Sequence, residues 1–427
     1  MFLSRYATIG RSALDIQKPT LVPEEFGPLQ GVRILSTGTI IAQPFAAALA
    51  ADMGAEVIHV ELPRDGDVWR RLGRPLELDD GTTTSTTWVQ EHRNTFCVTL
   101  DLSAPQGKEM FLELASKADI WMESSKAGTY DKWGLDDKTV LAANPKLVIT
   151  HVSGYGQTGH ADYLGRASYD VVGQAFGGMM YLNGSPEPQP PMTAVPLSAD
   201  YITALFCMWS SLAGYIHAQR TGRGQVIDLA QHEAVHQILS GTMMAYYELG
   251  INRERAGYKG SRIQPFGAYH ARDGWVIIAA VGTVFDKLCL ILGIDPADPK
   301  WITAHNDTAS VEGEEFDAVI SGWVEERSIK EVEEIMNASQ VACCPVMSAK
   351  DMDENPHYQA RDMHIEWEDE QLGRKVKGVG FTPKFSETPG KVWRGSVALG
   401  HDNDQVYHHY LGLEPEDLDM LREQGII

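Results

Sequence analysis

VRILSTGTIIAQPFAAALAADMGAEVIHVE, residues 32–61, is the stretch on which the fold turns. It opens on a short β-rich run (32–37), passes through an Ala-rich segment that Gly54 closes (44–54), and resumes in the apolar run EVIHVE (56–61). The spacing predicts strand, helix, strand, a βαβ unit that implies a parallel sheet. The pattern recurs downstream. GKEMFLELASKA (107–118) predicts a helix, DIWMES (119–124) a strand, and KLVITHVSGYG (146–156) a strand running into a Gly-rich loop. The first half of the chain therefore reads as a doubly wound α/β domain.

Working outward, the apolar stretch from Asp200 to about Arg220 ends in Thr-Gly-Arg-Gly and predicts a long, largely buried helix with a Gly stop. Residues 225–250 read as strand then helix, and the Gly- and Arg-rich segment 252–267 as a connection to a second domain. WVIIAAV (275–281) predicts a strand, 284–293 a helix, and 316–339 two helical periods separated near Ser328. The expected division is an N-terminal arm (1–26), a large domain (27–250) and a linker with a smaller α/β domain (251–381).

The chain has 427 residues, too many for one ordinary core, and its 36 Lys+Arg against 58 Asp+Glu leave a formal net charge of −22. A chain so acidic excludes a nucleic-acid or anionic-membrane partner, each of which needs a basic face. No stretch reaches the roughly 18 apolar residues of a membrane span. Five Cys, with no CxxC pair, point to a reducing compartment, and the expected location is the cytoplasm. Adjacent Cys343 and Cys344 read as buried structural residues.

Several motifs invite chemistry. Glu61 stands about 20 residues after the first strand, where the ribose-binding acid of a dinucleotide fold would sit, but the loop STGTIIAQPFAAA lacks G-x-G-x-x-G, so no nicotinamide or flavin is expected. His232, Glu233 and His236 form a literal H-E-x-x-H, the zinc-hydrolase pattern; the helix reads equally well as amphipathic with polar residues outward, and no metal is expected. No G-x-S-x-G elbow or Walker loop is present. Cations gather instead on the loops of the first domain: Arg64, Arg70, Arg71, Arg74, Arg93, Lys126, Lys132 and Arg166. That placement fits a polyanionic ligand at the strand ends. Asp170 and Asp200 each stand where apolar structure resumes. By pattern alone Asp200 reads as an N-cap, with a carboxylate nucleophile as the alternative.

Taken in order, FGPLQGVRILSTGTIIAQPFAAALAADMGAEVIHVE, ADIWMESSKAG, NPKLVITHVSGYGQTG, ASYDVVGQAFGG, SADY, TGRGQVIDLAQHEA, NPHYQAR and PGKVWRG resemble the class III CoA-transferases, from about Phe26 to the C-terminus. The similarity is greatest to the carnitine and bile-acid branches. It implies a Rossmann-like large domain built from N- and C-terminal parts, with residues 382–427 returning to it, a small α/β domain between, and an interlocked homodimer. It also implies that Asp200 is the nucleophile, that Lys126 and Lys132 contact coenzyme A, and that Ile41, Ala42 and Arg64 line the CoA site. Ile41 stands where the formyl-CoA branch has Gln, and residues 252–267 differ from that branch's Gly-rich flap, which argues against formyl and oxalyl substrates.

The chemistry the resemblance implies moves CoA from an acyl-CoA donor to a free carboxylic acid through aspartyl anhydride and aspartyl-CoA thioester intermediates. It uses no permanently bound cofactor, and a loop at 257–267 closes over the reaction. A carnitine-type acid is the first expectation, with Trp69, Trp88, Tyr169, Tyr201, Tyr246 and Tyr247 as candidates for an aromatic cage. A bile acid, a 2-methylacyl-CoA racemase reaction and an HExxH hydrolase are the alternatives.

Overall fold

A computed structural model describes residues 20–257 and 263–427. Most of the expected arm and the middle of the expected closing loop lie outside these residues. The chain forms two compact units. The first runs to Gly173 and takes in Leu197–Val235 and Asp362–Ile427; the second comprises Gln174–Pro196 and His236–Arg361.

The first unit is built on a six-stranded parallel sheet of β1 (Arg33–Ser36), β2 (Glu56–Glu61), β3 (Thr95–Thr99), β4 (Ile120–Glu123), β5 (Val148–Ser153) and β6 (Gln225–Ala230). Their order is β3-β2-β1-β4-β5-β6. Alternate side chains feed two cores. Leu35, Ile58, Trp121 and Ile149 join one, while Ile34, Val57, Ile120 and Val148 join the other, so the strands are apolar on both faces, as buried parallel strands are. The second core is thin on purpose of its residues: α1 (Pro44–Asp52) presents Ala46, Ala47, Ala50 and Ala51, small enough for the 24-residue α3 (Ser198–Thr221) to approach through Ala204 and Cys207. The first core is deeper, filled by α2 (Pro105–Lys117) and by Val406, Tyr407 and Tyr410 from the C-terminal segment.

That segment is tied to β3. The Asp402 carboxylate accepts from Cys97 N at 2.7 Å and pairs with Arg394, and Tyr407 Oη donates to Thr99 O at 2.7 Å. Strand β3 itself, TFCVT, was not among the sequence expectations, although its Thr, Phe and Val are strand-forming residues.

The second unit holds a three-stranded antiparallel sheet of β7 (Phe266–Ala271), β8 (Gly274–Ala279) and β9 (Ala342–Pro345) under helices Thr283–Leu292, Val311–Glu325 and Ile329–Ala338. Ser328 opens the last of these with a capping box to Glu331, which accounts for the break in helical period read there. The boundaries differ from 250 and 381. The ribbon His364–Asp369 and Arg374–Val379 belongs to the first unit because Arg93 bonds Val379 O at 2.9 Å, and 174–196 belongs to the second because Arg255 bonds Ser185 O at 3.1 Å and Tyr181 O at 3.2 Å. All five cysteines are free, and Cys344, expected to be buried, is exposed on β9. Among the described residues no helix is long and apolar enough to cross a membrane.

Candidate active site

The strand order reverses between β1 and β4, and open α/β sheets bind ligands beyond the carboxyl ends of their strands at such a reversal. A cavity of about 470 Å³ lies there, bounded by residues 39–42 after β1, 124–127 after β4, 153–156 after β5 and 165–169, with Asp200 and Gln231 in its wall. The loop after β1 is held under strain. Ile40, a β-branched residue, sits at φ +71°, where its N–H donates to both oxygens of Asp67 at 3.1 Å.

Asp200 is the third residue of α3 and is 8% exposed. It is not the cap. Asp170, 30 residues upstream, caps the helix: its Oδ1 accepts from Ala199 N at 2.7 Å and from Asp200 N at 3.2 Å. Asp200 Oδ1 instead accepts from the Gln231 side-chain amide at the start of α4 (Gln231–Gln237). Gln231 in turn accepts from Ser168 Oγ at 3.2 Å, and it packs so close to Gly173 that a Cβ there would lie 2.5 Å from its Oε1. Burial pushes the Asp200 carboxyl up, the Asp170 charge adds to this, and the Gln231 bond opposes it, leaving a pKa of about 7. The next residue is pinned as well: Tyr201 Oη donates to Glu91 at 2.6 Å, Trp69 Nε1 donates to the same carboxylate at 2.9 Å, and the Tyr201 ring packs edge-on against Phe45.

Of the positions expected at the CoA site, Ile41, Ala42 and Lys126 line the cavity together with Asp200, and Arg166 joins them. Lys126 and Arg166 are exposed cations. Lys132 and Arg64 are exposed and lie outside the cavity lining. Arg93 is placed elsewhere: it is buried, pairs with Asp52 at 2.6 Å and stacks over Trp367, because its guanidinium closes the ribbon onto α1. Glu61 is not a ribose acceptor but a buried partner of Arg70 at 2.7 Å. In the H-E-x-x-H segment, His232 Nδ1 bonds Gly154 O at 3.0 Å, and among the described residues no third ligand joins His232 and His236.

Gln231 was missed in the sequence. Nothing in its helical spacing marks it, and it stands one residue before the H-E-x-x-H segment.

The profile described as CoA-transferase family III matches residues 29–403. The chain is 38% identical over 415 residues to the bile acid CoA-transferase BaiK of Clostridium scindens, covering 94% of this chain and 90% of the relative. It is 30% identical to the L-carnitine CoA-transferase of Proteus mirabilis, covering 94% and 97%. A crystal structure of a CAIB/BAIF family protein from Brucella suis matches with a TM-score of 0.78 at 26% identity, covering 90% of this chain and 100% of that one. With a parallel α/β sheet, a ligand cavity at its order reversal and a profile match across nearly the whole chain, the protein belongs to CoA-transferase family III.

Proposed function

We propose that the protein moves CoA from an acyl-CoA to a free carboxylic acid with Asp200 as nucleophile. The observation that carries this reading is one buried carboxylate, held by a neutral amide, in the wall of a cavity whose other lining includes Lys126 and Arg166. Lys126 and Arg166 meet the phosphates of CoA.

Asp200 Oδ2 attacks the thioester carbonyl, the C–S bond breaks, and an aspartyl anhydride and a CoA thiolate form. The thiolate attacks the Asp200 carbonyl carbon, expels the donor acid as carboxylate and leaves aspartyl-CoA. An acceptor carboxylate attacks that thioester, and the released thiolate then takes the new acyl group, which restores Asp200. Gln231 has a defined part. Its N–H, already on Oδ1, stays on that oxygen each time negative charge develops there during attack at the Asp200 carbonyl. One thioester replaces another, so no permanently bound cofactor is required.

The acceptor is an apolar acid of bile-acid type, a revision of the carnitine expectation. Trp88, a cage candidate, is sandwiched between Arg70 at 3.8 Å and the stacked His92 ring at 3.6 Å, and Trp69 is buried; of the six aromatics only Tyr169 lines the cavity. The 38% identity to a bile acid CoA-transferase supports the same choice. The molecule works as a homodimer, since Leu205, Trp209 and Ile216 expose 54%, 57% and 49% of their surface along α3.

Incubation with acyl-CoA and hydroxylamine, followed by peptide mass spectrometry, should yield a hydroxamate at Asp200; transfer at full rate by Asp200→Ala removes the reading. A panel of bile acids and carnitine as acceptors tests the substrate class. Isotopically labelled acid appearing as its CoA thioester separates transfer from racemisation, which moves no CoA.

A further inference from the structure

A second group of chemistry-bearing side chains lies outside the cavity and takes no part in the transfer. His59 on β2, Asp67 in the loop that follows and His92 just before β3 each offer a donor atom, and these atoms lie within 4.8 Å of one another. All three residues are no more than 2% exposed. Among the described residues neither His92 ring nitrogen nor His59 Nε2 has a hydrogen-bond partner, which is costly for buried polar atoms.

We propose that His59, Asp67 and His92 form a binding site for a divalent transition ion of the Zn²⁺ class. The His59 Nε2 to Asp67 Oδ2 separation is 3.6 Å, close to the roughly 3.4 Å between two donors on a tetrahedral ion with bonds of about 2.0–2.1 Å. His59 Nδ1 bonds Ser36 Oγ at 3.0 Å, the outer-shell contact that fixes a ligating imidazole and leaves Nε2 to face the ion. His92 is oriented by stacking on Trp88. The charges agree. Asp67 and Glu61 supply two negative charges against one positive from Arg70, so the divalent ion enters a net negative setting. Its role is structural: it joins β2, the segment before β3 and, through the Asp67 bonds to Ile40 N, the strained loop that lines the CoA cavity.

The test is metal stoichiometry on the full-length protein, stripped with chelator and titrated with Zn²⁺ and, separately, with Co²⁺. The expected result is about one ion per chain, visible absorption of tetrahedral Co²⁺, and a rise in Tm on Zn²⁺ addition. His92→Gln should weaken uptake by about 100-fold or more and Ser36→Ala by roughly 10–100-fold, while His232→Ala with His236→Ala leaves it unchanged. Substoichiometric uptake by the wild-type protein overturns the proposal. So does uptake that survives in His92→Gln or disappears in the His232/His236 variant. Because the reading is made on the wild-type chain first, a variant that fails to fold does not shelter it.

Discussion

At the scale of single residues, the site rests on two aspartates given different work by position. Asp170 spends its charge on the N-terminal amides of α3, and Asp200, three residues into that helix, is left to face Gln231 and the cavity. Burial, helped by the like charge of Asp170 and opposed by the Gln231 bond, pushes the Asp200 carboxyl up to about 7. The proposed attack needs the ionised form, so kcat/KM should rise with pH through about 7 and level above it. Asp170→Asn keeps an acceptor for the amides and removes the like charge, which lowers the Asp200 pKa; the acid limb of the pH–rate profile should move to lower pH. An unmoved limb would count against the coupling. The same burial is a stability cost. A raised carboxyl pKa means the folded state holds its proton more tightly, so stability falls as pH rises from the unfolded value near 3.8 through about 7. Asp200→Asn, which removes the proposed nucleophile, should therefore raise stability at pH 8 by on the order of 1 kcal/mol, a few degrees in Tm. Calorimetry reads this directly.

At the scale of elements, the ends of β1, β4, β5 and β6 each deliver residues to the cavity. Gln231 starts α4 directly after β6, and Gln231→Ala should lower kcat by about 100-fold with the acyl-CoA KM little changed, as expected for a group that acts on developing charge. Gly173→Ala forces its Cβ into the Gln231 amide and should reproduce part of that loss. Beneath the Lys126 loop, β4 and β5 are joined by a buried polar group: His151 bonds Glu123 at 2.6 Å and Asp137 at 2.8 Å. Burial pulls the His151 pKa down, but the bonds to Asp137 and Glu123 outweigh it and push it up to about 10. The stabilisation is therefore full below the unfolded value near 6.5 and is lost as pH climbs through about 10. Urea unfolding between pH 6 and 10 should show this decline in the wild type and a flatter, lower curve in His151→Gln.

For the molecule as a whole, the long-range closure of the first unit is made by Arg394 and Asp402, which carry the C-terminal segment onto β3. Asp402→Ala leaves the Arg394 guanidinium buried without its carboxylate, a loss of about 3–5 kcal/mol in urea unfolding. Leu205→Glu with Trp209→Glu should leave a monomer by light scattering if α3 faces a second copy; a dimer of unchanged mass would remove that face from consideration.

What the residues determined by themselves was the local order. The stretch 32–61 forms β1, α1 and β2 within two residues of the expected bounds, because short β-rich runs flank an Ala-rich segment that Pro44 opens and Gly54 closes. The exposed cation at Lys126 was likewise legible, whereas the pattern favoured a cap at Asp200, a role that Asp170 takes instead. Tertiary structure alone decided which groups meet. Asp170, Gln231 and Asp200 lie about 30 residues apart along the chain and come together only because parallel strands return their loops to one edge. Arg93, by charge a candidate for CoA, went to Asp52, since a guanidinium carried into the interior must find a carboxylate there. Periodicity reports which face of an element is apolar; it holds no information on which distant polar partner that element will meet.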